Sequence, residues 1–66
     1  MKVFLNQQEI FVGSRVALRD LLAGQSLTQE NIVVAVNNMV IPRDEWESSM
    51  LTDSDKVTVI SDNVIL

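Results

Sequence analysis

A chain of 66 residues with 47% apolar and 21% charged side chains has the composition of one small folded domain, because a chain of this size buries only about 60% of the surface its unfolded form exposes and has no material for a second core. It contains no cysteine and no histidine, which excludes disulfides, thiolate and imidazole metal ligands, a cysteine nucleophile and a histidine general base. Five basic residues against nine acidic ones leave a formal net charge of −4. Lys2, Arg15, Arg19, Arg43 and Lys56 are scattered along the chain, so the clustered positive charge that grips phosphates is missing and no nucleic acid is expected as a partner.

The opening run Lys2-Val3-Phe4-Leu5-Asn6 is rich in strand formers, Asn6-Gln7-Gln8 supplies a polar turn, and Glu9-Ile10-Phe11-Val12 resumes the pattern. This predicts a β-hairpin. Met1 to Val12 carries one lysine and no apolar run long enough for a signal peptide or a membrane span, so a cytoplasmic setting with no membrane partner is expected. Gly13-Ser14 breaks the strand. Val16, Leu18, Leu21 and Leu22 then fall at helical spacing, which predicts a helix from Ala17 to Ala23 with Gly24 as its left-handed C-terminal residue.

Gln25 to Asn31 is polar and irregular and reads as a loop. Ile32 to Val36 is an unbroken, mostly β-branched run that suits an interior strand, and Asn37-Asn38 tolerates the positive φ of a two-residue hairpin turn, so Met39-Val40-Ile41 should return antiparallel. Pro42 has no N–H for a ladder and ends that strand; Arg43 to Glu47 has the brevity of one helical turn, with Trp46 anchoring it to the core. A local contact of Arg43 with Asp44 or Glu47 is expected. Asp53-Ser54-Asp55 makes a turn, Lys56 to Ile60 alternates as the last strand, and Ser61 to Leu66 is left as a tail. Asp53, Asp55 and Asp62 lack the ligand density and glycine of a calcium loop, so no metal is expected.

A hairpin, a helix, a second hairpin and a final strand make a two-layer α+β domain with the strands on one side of the helix. Val3, Leu5, Leu18, Leu21, Leu22, Val34, Val36, Val57 and Val59 form the expected core. Alternation leaves Phe4, Ala35, Met39 and Ile60 facing away from the helix as a candidate partner-binding patch.

The element order, the segment Val36-Asn37-Asn38-Met39-Val40-Ile41-Pro42-Arg43-Asp44-Glu45-Trp46, and the acidic turn Asp53-Ser54-Asp55 leading into the final strand resemble the ThiS family of ubiquitin-like sulfur carriers. Leu18-Arg19-Asp20-Leu21-Leu22 is similar to the family's helix, and the resemblance runs from Met1 to Ile60. It implies a β-grasp fold, a mixed sheet packed on one principal helix, formed by a single domain over residues 1–66 with 61–66 as a C-terminal tail. It also implies a carrier, not an enzyme, that needs no cofactor. Such a chain is activated as a C-terminal acyl adenylate by a ThiF-type adenylating enzyme, converted to a thiocarboxylate, and delivers sulfur to a ThiG-type thiazole synthase in thiamine biosynthesis. The reacting group is then the chain terminus, which accounts for the missing catalytic side chains.

The position carried over for activation is Leu66, reached through a tail of Asn63, Val64 and Ile65. Ile65 and Leu66 stand where the family has Gly-Gly, and Ser54 where it usually has glycine. The alternative is therefore a non-carrier β-grasp module that binds proteins without activating its terminus. The acidic balance suits a basic partner surface. The apolar end Val64-Ile65-Leu66 could also extend the last strand onto a second copy, giving a homodimer.

Overall fold

The computed structural model describes residues 1–27 and 32–61, with Ser61 as backbone alone. The tail residues Asn63, Val64, Ile65 and Leu66, the strand-paired dimer expected from them, Asp62, and the end of the expected loop at 28–31 lie outside the described residues.

Strand β1 (Lys2–Leu5) pairs antiparallel with β2 (Gln8–Phe11). The turn between them is tighter than the sequence predicts, for Gln8 already belongs to β2, leaving Asn6 (φ 50°) and Gln7 (φ 72°) as its two left-handed residues. Asn37 (φ 52°) and Asn38 (φ 70°) do the same between β3 (Ile32–Val36) and β4 (Met39–Ile41). Two consecutive positive φ values match the right-handed twist of the flanking strands. The final strand β5 (Lys56–Ser61) occupies the middle of a five-stranded sheet of order β2-β1-β5-β3-β4. It runs parallel to β1, with Phe4 opposite Lys56 and Leu5 opposite Val57, and antiparallel to β3.

Helix α1 spans Leu18–Gly24, one residue later than expected. Seven residues do not hold a helix in water unaided, and tertiary hydrogen bonds supply what the local sequence lacks. Ala17, at the N-cap, has no side-chain oxygen to offer; instead the Asp20 carboxylate accepts the Ala17 N–H at 3.2 Å. The Leu18 N–H donates to the Ser49 carbonyl (2.8 Å) and the Arg19 N–H to that of Trp46 (3.1 Å), so the stretch after the 3-10 turn Arg43–Glu45 satisfies the first helical donors. At the other end the left-handed residue is Ser26 (φ 60°), not Gly24. Ser26 N–H donates to Ala23 O (3.1 Å) and Leu27 N–H to Leu22 O (2.8 Å), the paired bonds of a Schellman ending. Gly24 is the last residue of the helix.

The core between helix and sheet is Val3, Leu5, Leu18, Leu21, Leu22, Val34, Trp46, Leu51 and Val57. Val36 and Val59, expected inside, are half-buried against its rim. Trp46 is 4% exposed, and its indole N–H donates to the Ile41 carbonyl at 2.9 Å. This ties the 3-10 turn to β4 and leaves no buried indole donor unpaired.

Candidate functional site

Directly opposed residues in a sheet share a face, so the register sorts every strand residue. Phe4 with Glu9, Lys2 with Phe11, Val33 with Ile60, Ala35 with Thr58, and Ala35 with Val40 are opposed pairs on the face turned away from α1. Phe4, Ala35 and Ile60 therefore stand where the sequence places them. Met39 does not, because it opposes Val36 and Ile41 opposes Val34, which puts Met39 on the helix side at the sheet edge. Its place on the outer face belongs to Val40, 63% exposed, one residue along.

The outer face joins Ile60 (58% exposed) and Val33 (41%) at one end to the half-buried Ala35 and Phe4 in the middle. The expected patch omits Val33 and Val40; period-2 alternation through β3 finds Val33 beside Ala35, whereas Val40 follows only once the two-residue turn sets Met39 opposite Val36. Beside Phe4 a shallow depression of about 450 Å3 lies between the two hairpin turns, lined by Gln7, Asn37, Asn38, Lys56 and Thr58. Lys2 holds its ammonium 5.4 Å from the centre of the Phe4 ring and 3.5 Å from the Glu9 carboxylate. An exposed pair of this kind contributes at most about 1 kcal/mol.

The acidic turn before β5 does structural work. Asp55, 9% exposed, accepts hydrogen bonds from Thr52 N–H (2.8 Å), the Thr52 hydroxyl (2.9 Å) and the Asn37 amide (3.0 Å), while the Asn37 Oδ1 accepts the Lys56 N–H at 3.0 Å. Together they clamp the β3–β4 turn onto the start of β5. Burial alone would raise the Asp55 carboxyl, but these hydrogen bonds to its charged form outweigh it and hold the group below its ordinary value. Asp53 is lowered too, chiefly by the Lys2 N–H that it accepts at 2.9 Å. Among the described residues no three acidic side chains gather as metal ligands.

A carboxyl lowered on folding binds fewer protons in the folded chain than in the unfolded one. Its stabilisation is full above the unfolded value near 3.8 and is lost as pH falls through the lower folded value. Urea midpoints should therefore hold between about pH 6 and 5 and begin to fall below about pH 4. Asp55→Asn should lower stability at neutral pH and flatten that acid limb; an unchanged limb would show that Asp55 is not a source of it.

On the opposite flank the Arg43 guanidinium stacks 4.5 Å from the centre of the Trp46 ring. Glu47, one of its two expected local partners, is paired with Arg19 at 2.8 Å. Among the described residues no helix is long and apolar enough to cross a membrane.

The ThiS family model matches residues 1–61. The uncharacterized protein ycf40 of Trieres chinensis is 28% identical over 58 residues, which cover 88% of this chain and 80% of that protein. The crystal structure of the thiamine biosynthesis protein ThiS from Geobacter metallireducens superposes with a TM-score of 0.86 at 20% identity over the whole of both chains. The solution structure of a thiamine biosynthesis protein from the same organism gives 0.77 at 21% identity over all of this chain and 91% of that one. The structural likeness establishes the β-grasp fold, and since the family match extends from the first strand through the last one described, the chain belongs to the ThiS family.

Proposed function

We propose that this chain is a sulfur carrier of thiamine (thiazole) biosynthesis that docks through its outer sheet face and carries sulfur as a thiocarboxylate at its C-terminus, the position of Leu66. Its partners in this reading are a ThiF-type adenylating enzyme and a ThiG-type thiazole synthase in the cytoplasm. The chain acts as their substrate and performs no catalysis of its own. One observation carries the proposal: Ser61, opposite Ile32 at the end of β5, directly follows Ile60, which opposes Val33 on the apolar face. A partner that covers Ile60 and Val33 thereby holds the start of the segment leading to the terminus.

The test is binding of a purified ThiF-type enzyme by calorimetry. Ile60→Glu should weaken affinity by roughly tenfold or more, since a carboxylate would be desolvated in the interface without a partner. Ile60 is 58% exposed, so the circular dichroism spectrum should not change. Met39→Glu, on the other face, should bind as the parent does. Equal affinity of Ile60→Glu and the parent would remove the outer face as the docking surface.

A further inference from the structure

The edge of β5 that faces β1 is completed by a side chain. The Phe4 N–H donates to the Asp55 carbonyl and the Asn6 N–H to that of Val57, each at 2.9 Å, the rungs that β1 donates to a parallel ladder whose donors alternate between the two strands. The next rung in this alternation would run from the Val59 N–H to the Asn6 main-chain carbonyl. That carbonyl is not the acceptor, because Asn6 has turned into the left-handed region (φ 50°) to open the β1–β2 hairpin. The Val59 N–H donates instead to Asn6 Oδ1 at 2.9 Å. Two demands meet at this position, a residue tolerant of positive φ and a short side chain bearing an acceptor, and only Asn and Asp satisfy both well.

Beyond Val59 the described strand is paired on one side alone, by Val33 opposite Ile60 and Ile32 opposite Ser61. We infer that Asn6 is a positioning residue: its side chain fixes the point at which β5 ceases to be held on both sides, and so sets the root from which the C-terminal segment departs towards a partner's active site. The inference rests on the carrier reading for its functional half. Its physical half, selective anchoring of Val59, does not. A reacting terminus several residues from its anchor is sensitive to the anchor's placement, because a misplacement of ~1 Å at the reacting atoms can lower a rate ~100-fold.

The test pairs Asn6→Gly, which keeps the turn and removes the acceptor, with Asn6→Asp, which keeps both. Amide hydrogen exchange should be at least tenfold faster at Val59 in Asn6→Gly, with Val34 and Val57 slowed or quickened no more than global stability requires, and Asn6→Asp should restore protection. Acyl adenylate formation by a ThiF-type enzyme, measured with Ile65→Gly/Leu66→Gly also present in every chain so that bulk at the end is not limiting, should show kcat reduced at least fivefold by Asn6→Gly, KM unchanged, and recovery in Asn6→Asp. Unchanged protection at Val59, equal loss at Val34, or an unaltered kcat would each overturn the positioning role. If the chain with Asn6 intact forms no adenylate, the carrier reading falls and the functional role of Asn6 with it, whatever the exchange data show.

Discussion

Leu22→Ala is expected to lower the free energy of unfolding by about 2–5 kcal/mol, the range for removing a large aliphatic side chain from a packed interior. Leu22 is fully buried, 0% exposed, between the helix and the sheet beside Leu18, Val3 and Val34. Its own carbonyl also accepts the Leu27 N–H at 2.8 Å, so the side chain sits at the C-terminal turn of a seven-residue helix that depends on tertiary contacts for its existence. A domain of this size has roughly 5 kcal/mol of stability or a little more, and the variant should therefore be largely unfolded near physiological temperature. Met39→Ala, at a side chain 68% exposed, should change stability by about 0.5 kcal/mol or less. Urea denaturation of the two variants checks the contrast; similar midpoints would mean that Leu22 is not in the packed interior.

Where local pattern and tertiary structure agree, the sequence was sufficient. The runs Val3-Phe4-Leu5 and Ile32 to Val36 alternate or persist as strands must, Asn37-Asn38 tolerates the φ its turn needs, and Leu18, Leu21 and Leu22 recur on one side of a helix. Met39 went to the wrong face for a definite reason. In a two-residue hairpin the residues flanking the turn oppose each other and share a face, so Met39 had to follow Val36 across Asn37-Asn38; counting alternation within β4 alone cannot settle the side.

Other features carry no periodic signal. Leu51 belongs to no periodic run, with only Met50 beside it as an apolar neighbour, and it enters the core where its N–H donates to the Val16 carbonyl at 2.9 Å, bringing the stretch after Trp46 against the helix start. Gly24 looked like the helix stop because glycine takes positive φ without cost, yet the bonds from Ser26 and Leu27 place that conformation at Ser26, two residues later. Asn6 reads as an ordinary polar turn residue, and its hydrogen bond to Val59 spans 53 positions of the chain, beyond the reach of any local pattern. The acidic residues Asp53 and Asp55 were legible as a turn; their engagement by Lys2, Thr52 and Asn37 was not.

Converting the last two residues to glycine, Ile65→Gly with Leu66→Gly, is expected to raise the rate of acyl adenylate formation by a ThiF-type enzyme by up to ~100-fold, the scale on which a misplaced reacting group loses rate. Glycine has no Cβ, so two in succession pass a narrow channel and let enzyme groups close on the terminal carbonyl. Val64, Ile65 and Leu66 carry branched side chains, and forcing bulk of that kind into a close-packed passage costs on the order of 1–3 kcal/mol per residue. The penalty falls on the positioning of the carbonyl against the nucleotide phosphate and not on docking, because Ile60, Val33 and Val40 on the outer face are untouched by the substitution. Affinity for the enzyme should accordingly be the same for both chains while kcat differs. Intact-protein mass spectrometry after incubation with ATP, the enzyme and a sulfur source reads the thiocarboxylate directly. Efficient conversion of the chain with Ile65 and Leu66 in place would show that a branched end is accepted and would overturn the steric argument. Conversion of neither chain, with docking intact, would instead favour a module that occupies the partner's surface without carrying sulfur.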